Sequence, residues 1–167
     1  MQPTDPNQFT EPVWNAIVAS QEIARQFRQQ QLEVEHVMLT LLEKEDGDAS
    51  QLLEGISIDS ASLYQRLEEF ARRQPRMAAG TQLYLGRGLD ELLDKAEQAR
   101  QFWQDDTIDI EHVLMGFVED DRIGRRLCSA DNLDAKTLAT AIEARRADAA
   151  GEAVAQQEAE AEASRSA

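Results

Sequence analysis

Two histidines, one cysteine and a surplus of carboxylates are the residues of this 167-residue chain whose types could do chemistry. His36 and His112 each follow a glutamate and open an apolar run, Glu35-His36-Val37-Met38-Leu39 and Glu111-His112-Val113-Leu114-Met115. A zinc-binding helix carries a second ligand four residues after the first. Those positions hold Thr40 and Gly116, so no metal is expected and the repeated histidine reads as architecture. Glu35 and Glu111 fall in a first helical turn, where an acid complements the helix dipole or captures a partner's basic group. Cys128 sits beside Leu127 with no histidine nearby in sequence and reads as a small buried hydrophobe. No glycine is followed by Lys-Ser or Lys-Thr, and there is no Gly-x-Ser-x-Gly elbow. The expectation is therefore no catalytic residue, no cofactor and no enzyme.

Those residues are placed by a duplication. Phe9 to Phe27 aligns without a gap on Tyr84 to Phe102, and both blocks end in Ala-Arg-Gln-Phe. Leu32 to Val37 matches Ile108 to Val113, and Ile58-Asp59 with Leu63 matches Leu133-Asp134 with Leu138. The spacing stays at about 75 residues, with one residue inserted before the second Glu-His pair. The fold expected is all-α, a pseudo-twofold tandem of two four-helix repeats whose seam is the natural place for a ligand.

Helical patterning fills in the halves. Thr10-Glu11-Pro12 makes a good start for a first helix carrying Val13, Ile17, Ala24 and Phe27. A second helix, near 35–45, is apolar on almost all sides and should be the most buried of its half. A short third helix spans about 49–54, and Asp59 caps a fourth carrying Leu63, Leu67 and Phe70. Repeat two should place helices near 85–103, 110–120, 122–129 and 135–147. No segment alternates like a strand. The division expected is an extended arm at 1–8 and a domain at 9–147. The domain comprises repeat one at 9–72, a linker at 73–83 and repeat two at 84–147. Residues 148–167, rich in Ala and Glu with Val154 their one large apolar residue, read as a disordered acidic tail.

Composition excludes further classes. A formal net charge of -15 disfavours nucleic acid and anionic membranes as partners. No stretch approaches the roughly 20 apolar residues of a membrane span. The N-terminus lacks a secretory pattern, and a single cysteine builds no disulfide framework, so a soluble cytoplasmic protein is expected.

Two copies of a four-helix unit, each with a helix opening in Glu-His before an apolar run, resemble the N-terminal domain of the Clp ATPases. Glu35-His36-Val37-Met38-Leu39-Thr40-Leu41-Leu42 is similar to the Glu-His run of that domain. Phe9-Thr10-Glu11 and Ala24-Arg25 fit as well, and Tyr84-Leu85-Gly86-Arg87-Gly88-Leu89-Asp90 is similar to the start of repeat two in cyanobacterial ClpB disaggregases. The resemblance covers residues 1 to about 147. It implies a mobile module that binds unfolded polypeptide or adaptors and passes substrate to an ATP-driven ring. It also implies groove positions at Phe9, Val13, Leu85, Leu89 and Leu92, with Thr10, Asp105 and Glu111 as polar positions around substrate. Val34 and Ile110 depart from the family, which often has a capping Ser or Thr there. Glu33 and Asp109 are the substitutes. No ATPase module follows in this sequence. The expectation is a non-catalytic recruiter of unfolded or aggregated polypeptides. The alternative, which follows stand-alone relatives in photosynthetic organisms, is an accessory subunit docking on the Clp protease core or a Clp ATPase ring.

Overall fold

Helix ends in this protein are written by its polar residues. The structure, a computed structural model, describes residues 1–78, 80 and 82–166. Among them are eight α-helices: α1 (Glu11–Gln26), α2 (Val34–Leu42), α3 (Asp48–Gly55), α4 (Ser60–Arg72), α5 (Arg87–Trp103), α6 (Ile110–Val118), α7 (Gly124–Ala130) and α8 (Ala135–Arg165). The all-α tandem expected from the duplication is what the chain forms. Thr10 precedes α1 with Pro12 in the first turn, and Asp59 caps α4 by accepting from the Ser62 N–H at 3.1 Å. The linker expected at 73–83 includes Ala79 and Thr81, which lie outside the described residues, as does Ala167.

Equivalent turns follow the helices in both repeats. Arg28 and Gln104 are left-handed at φ 55° and 57°, and so are Ser57 and Asn132 at 65° and 58°. Each lets the next residue's N–H reach back five positions to a helix carbonyl: Gln29 to Ala24, Asp105 to Arg100, Ile58 to Leu53, Leu133 to Cys128. These closures return the chain sharply onto the core. They seat Ile58 and Leu133 in it, and they aim Gln29 and Asp105 toward the helices that follow.

The expectation of no strand needs correction. β1 (Gln31–Leu32) pairs in parallel with β2 (Tyr84–Leu85), and Phe9 bridges to Ile108 in the same sense. These positions are equivalent across the duplication. The segment entering α2 therefore pairs with the one entering α5, and the one entering α6 pairs with the one entering α1. Two-residue strands are too short to show an alternating pattern, so sequence periodicity could not reveal them. The core forms on α2, α5 and α6, whose Met38, Leu39, Leu89, Leu92, Leu93 and Leu114 are buried, as expected for the Glu-His helices.

Two further expectations change. Pro6–Gln8 forms one 3-10 turn capped by Asp5 within the arm read as extended. The acidic tail is helical: α8 runs unbroken to Arg165, because Ala and Glu favour helix even without an apolar face. Its buried side chains, Leu138 and Ile142, lie in the first turns, and every side chain from Ala147 to Ser166 is exposed. Residues 1–135 and 136–167 form separate compact units.

Candidate functional site

Both histidines close their own helix starts. The Glu33 N–H donates to His36 Nδ1 at 2.9 Å, and the Asp109 N–H donates to His112 Nδ1 at 2.8 Å. A backbone N–H can only donate, so each ring is neutral with its hydrogen on Nε2. From there His36 donates to Gln29 Oε1 at 2.5 Å and His112 to Asp105 Oδ2 at 2.6 Å. This is a capping box with imidazole in the place that Glu or Gln usually fills. Both ring nitrogens are occupied by the protein itself. Burial also holds the His36 pKa below its ordinary value, chiefly by desolvating the charged form.

Glu33, which sequence makes an indifferent cap, does more than cap α2. Its carboxylate lies against the N-terminus of α5 in the other repeat, and the Gly88 N–H lowers its pKa. A Cβ on Gly86 would fall 1.4 Å from Glu33 Oε1, and one on Gly88 2.5 Å from Oε2. Gly86-Arg87-Gly88 is thus a cradle for a buried acid. Arg122 approaches from repeat two, with Nε 3.1 Å from Glu33 Oε2 and both Nε and Nη2 2.9 Å from the fully buried Glu35. The guanidinium also stands over the Phe70 ring at 5.4 Å. One arginine serves two buried carboxylates, and desolvation, outweighing Arg122, pushes Glu33 up to about 7. A cleft of about 250 Å³ opens beside this cluster, floored by Gln29, Glu33, Glu35 and Arg122.

The larger concavity, about 530 Å³, lies between α1 and the segment leading into α5. Trp14, Ile17 and Val18 of α1 form one wall, and Leu83, Tyr84 and Leu85 the other. Val18 and Tyr84, on its two walls, are 49% and 50% exposed.

The eight residues expected at a partner site separate accordingly. Leu85 lines the groove. Phe9, Val13, Leu89 and Leu92 are buried in the core, which corrects their expected place on an open groove. Val13, Leu89 and Leu92 occupy the inward faces of α1 and α5, and Phe9, ahead of α1, is held inward by its bridge to Ile108, whereas the groove uses the face bearing Trp14, Val18 and Gln21. Thr10, Asp105 and Glu111 gather at the start of α6. Thr10 Oγ1 donates to Asp109 Oδ1 at 3.0 Å, Asp105 accepts from His112, and Glu111 is half-buried in the first turn. Sequence reading missed Arg122, Trp14, Val18, Arg25 and Tyr84. Trp14 and Val18, apolar at i and i+4 on one face of α1, are the signal that points to the groove. Cys128 is buried and its thiol is pushed up to about 12 by that burial. No described helix is long and apolar enough to cross a membrane.

Comparison with known proteins places this geometry in a family. Residues 8–130 match the Clp repeat (R) N-terminal domain. The chain is 51% identical over 144 residues to chaperone protein ClpB 1 of Synechocystis sp. and, again at 51%, to ClpB 2 of Thermosynechococcus vestitus. Each match covers 86% of this chain and 16% of the relative, so the chain spans about a sixth of their length. The Hsp104 N-terminal domain from Candida albicans shares the fold at a TM-score of 0.70 and 19% identity, over 83% of this chain and 91% of that one. A ClpV N-domain solved in complex with a VipB peptide shares it at 0.62 and 14% identity, over 77% and 85%.

Proposed function

The chain belongs to the Clp repeat N-terminal domain family, and from that premise we propose that it is a non-catalytic binding module that recruits unfolded or aggregated polypeptides for a Clp ATPase ring. The groove between α1 and residues 82–85 is its binding site. The observation that carries this reading is the exposure of Val18 and Tyr84 on facing walls of a concavity of mixed polar and apolar lining. Burying such side chains against a client's apolar residues is favourable by about 25 cal/mol per Å² of apolar surface removed from water. Folded proteins keep their apolar segments inside, so the groove selects chains that have lost their fold. The buried Glu33–Glu35–Arg122 cluster ties repeat one to repeat two, while each histidine cap fixes the start of its own helix. A solved complex of a ClpV N-domain with a peptide supports binding of segments by this fold.

The test is calorimetric titration with a permanently unfolded client, reduced and alkylated lactalbumin, against the same protein in its native disulfide-bonded form. Binding of the unfolded form alone, weakened at least tenfold by Val18→Glu, is the expected result. Equal binding of both forms, or of neither, refutes the reading.

A further inference from the structure

Arg25 and Arg100 are the same residue of the two repeats, and each has a glutamate three positions earlier, Glu22 and Glu97. In repeat two the pair is closed. Arg100 Nη2 donates to Glu97 Oε1 at 2.5 Å, Nε donates to Oε2 at 2.8 Å, and Nη1 reaches the Asp105 carbonyl at 2.8 Å. In repeat one the pair is open: no described carboxylate pairs with Arg25, which is exposed and lines the groove. Arg25 is the one charged residue among the described residues of that lining.

The α1 wall has a direction. Trp14, Ile17, Val18, Gln21 and Arg25 share one helical face, and it passes from apolar at the start to polar and then cationic at the end. Trp14 to Arg25 covers about 16 Å of helix axis at roughly 1.5 Å per residue, a length that about five extended residues span. Resting on the reading of the groove as a polypeptide site, we infer that its occupant is an apolar segment flanked by a single acidic side chain, which Arg25 engages. A run of acids is disfavoured by the chain's net charge of -15, so one carboxylate beside apolar residues is the chemistry that fits. Arg25 thus sets which apolar segments dwell in the groove and in which direction they lie.

The experiment uses three acetylated, amidated hexapeptides, Leu-Val-Leu-Ala-Gly-Asp and its Asn and Lys counterparts, so that the only carboxylate is the Asp side chain. Each is titrated into the nitrogen-15-labelled full chain at low salt. The Trp14 indole N–H signal is followed, with the Trp103 indole as internal control. The expected result is binding about three- to fivefold tighter for the Asp peptide, the scale of one exposed ion pair. That preference disappears with Arg25→Gln, and with Arg25→Glu it turns toward a Lys peptide. Equal affinities on the unaltered chain, or a preference that survives Arg25→Gln, overturn the inference while the moving Trp14 signal leaves the groove reading standing. A Trp14 signal that no peptide moves overturns both.

Discussion

The two Glu-His helices begin with the same capping box and then diverge. At α6 the first turn is less deeply buried: Asp109 accepts a hydrogen bond from the Thr10 hydroxyl, His112 donates to a half-buried Asp105, and Glu111 is half-buried. At α2 the first turn is sealed: Glu33 is cradled by Gly86 and Gly88, Glu35 is gripped by Arg122, and His36 rests on Gln29, which itself donates to the Ala71 carbonyl. At the place matching Arg122 in repeat one stand Asp46 and Gly47, so the two repeats differ in charge at that position. The lesson is that duplication conserved the cap, while the charges around it were divided. One copy became the clamp between repeats, and the other left its polar groups near the surface.

The largest way to break this asymmetry is Arg122→Ala. It leaves two buried carboxylates uncompensated and should lower stability by about 3–5 kcal/mol in urea unfolding. Gly86→Ala comes next, because its methyl would occupy the space of Glu33 Oε1. A loss of about 2–3 kcal/mol is expected, much of it recovered in the double variant with Glu33→Ala, which vacates that space. Independent, additive losses would show that Gly86 and Glu33 do not share a site.

The pH dependence separates the clamp's two titrating groups. Glu33 is raised from 4.5 to about 7, so its contribution is full below the unfolded value and is lost as pH rises through about 7. The neutral His36 has the opposite sign: its contribution is full above its ordinary 6.5 and is lost as pH falls below it. Glu33→Gln should therefore gain stability relative to the unaltered chain between pH 5 and pH 8, measured by urea midpoints. A constant difference would remove Glu33 from the titration. The smallest effect concerns the matched left-handed residues. Arg28→Gly and Gln104→Gly should each stabilise by about 0.5–1 kcal/mol, since glycine adopts that conformation without strain.

Sequence carried much of this. Self-similarity gave the tandem, and the Glu-His runs gave the two central helices, because burial on all sides leaves an unbroken apolar string. The proposed groove was legible in part. Leu85 belongs to the groove, but Phe9, Val13, Leu89 and Leu92 face inward. An apolar residue in a helix does not announce whether it meets the core or an open groove. Arg122 was hidden for a different reason: it lies 87 positions from Glu35 in sequence, and one arginine of a charged stretch that also holds Arg125 and Arg126 resembles any solvated charge. Gly86 and Gly88 were visible as a motif, yet their purpose depends on a glutamate from the other repeat. The tail lacks an apolar face, yet it continues a helix whose first turns bury Leu138 and Ile142, and its Ala and Glu residues favour that state.

The most direct test of the central claim is site-specific photocrosslinking. A benzophenone amino acid is placed at Tyr84, on the groove wall, or at Glu111, in the first turn of α6, and each protein is irradiated with unfolded lactalbumin. Crosslinking from Tyr84 with little from Glu111 is the result expected of a groove that takes the client. Crosslinking from Glu111 and none from Tyr84 would contradict it and move the binding site to the start of α6 in repeat two.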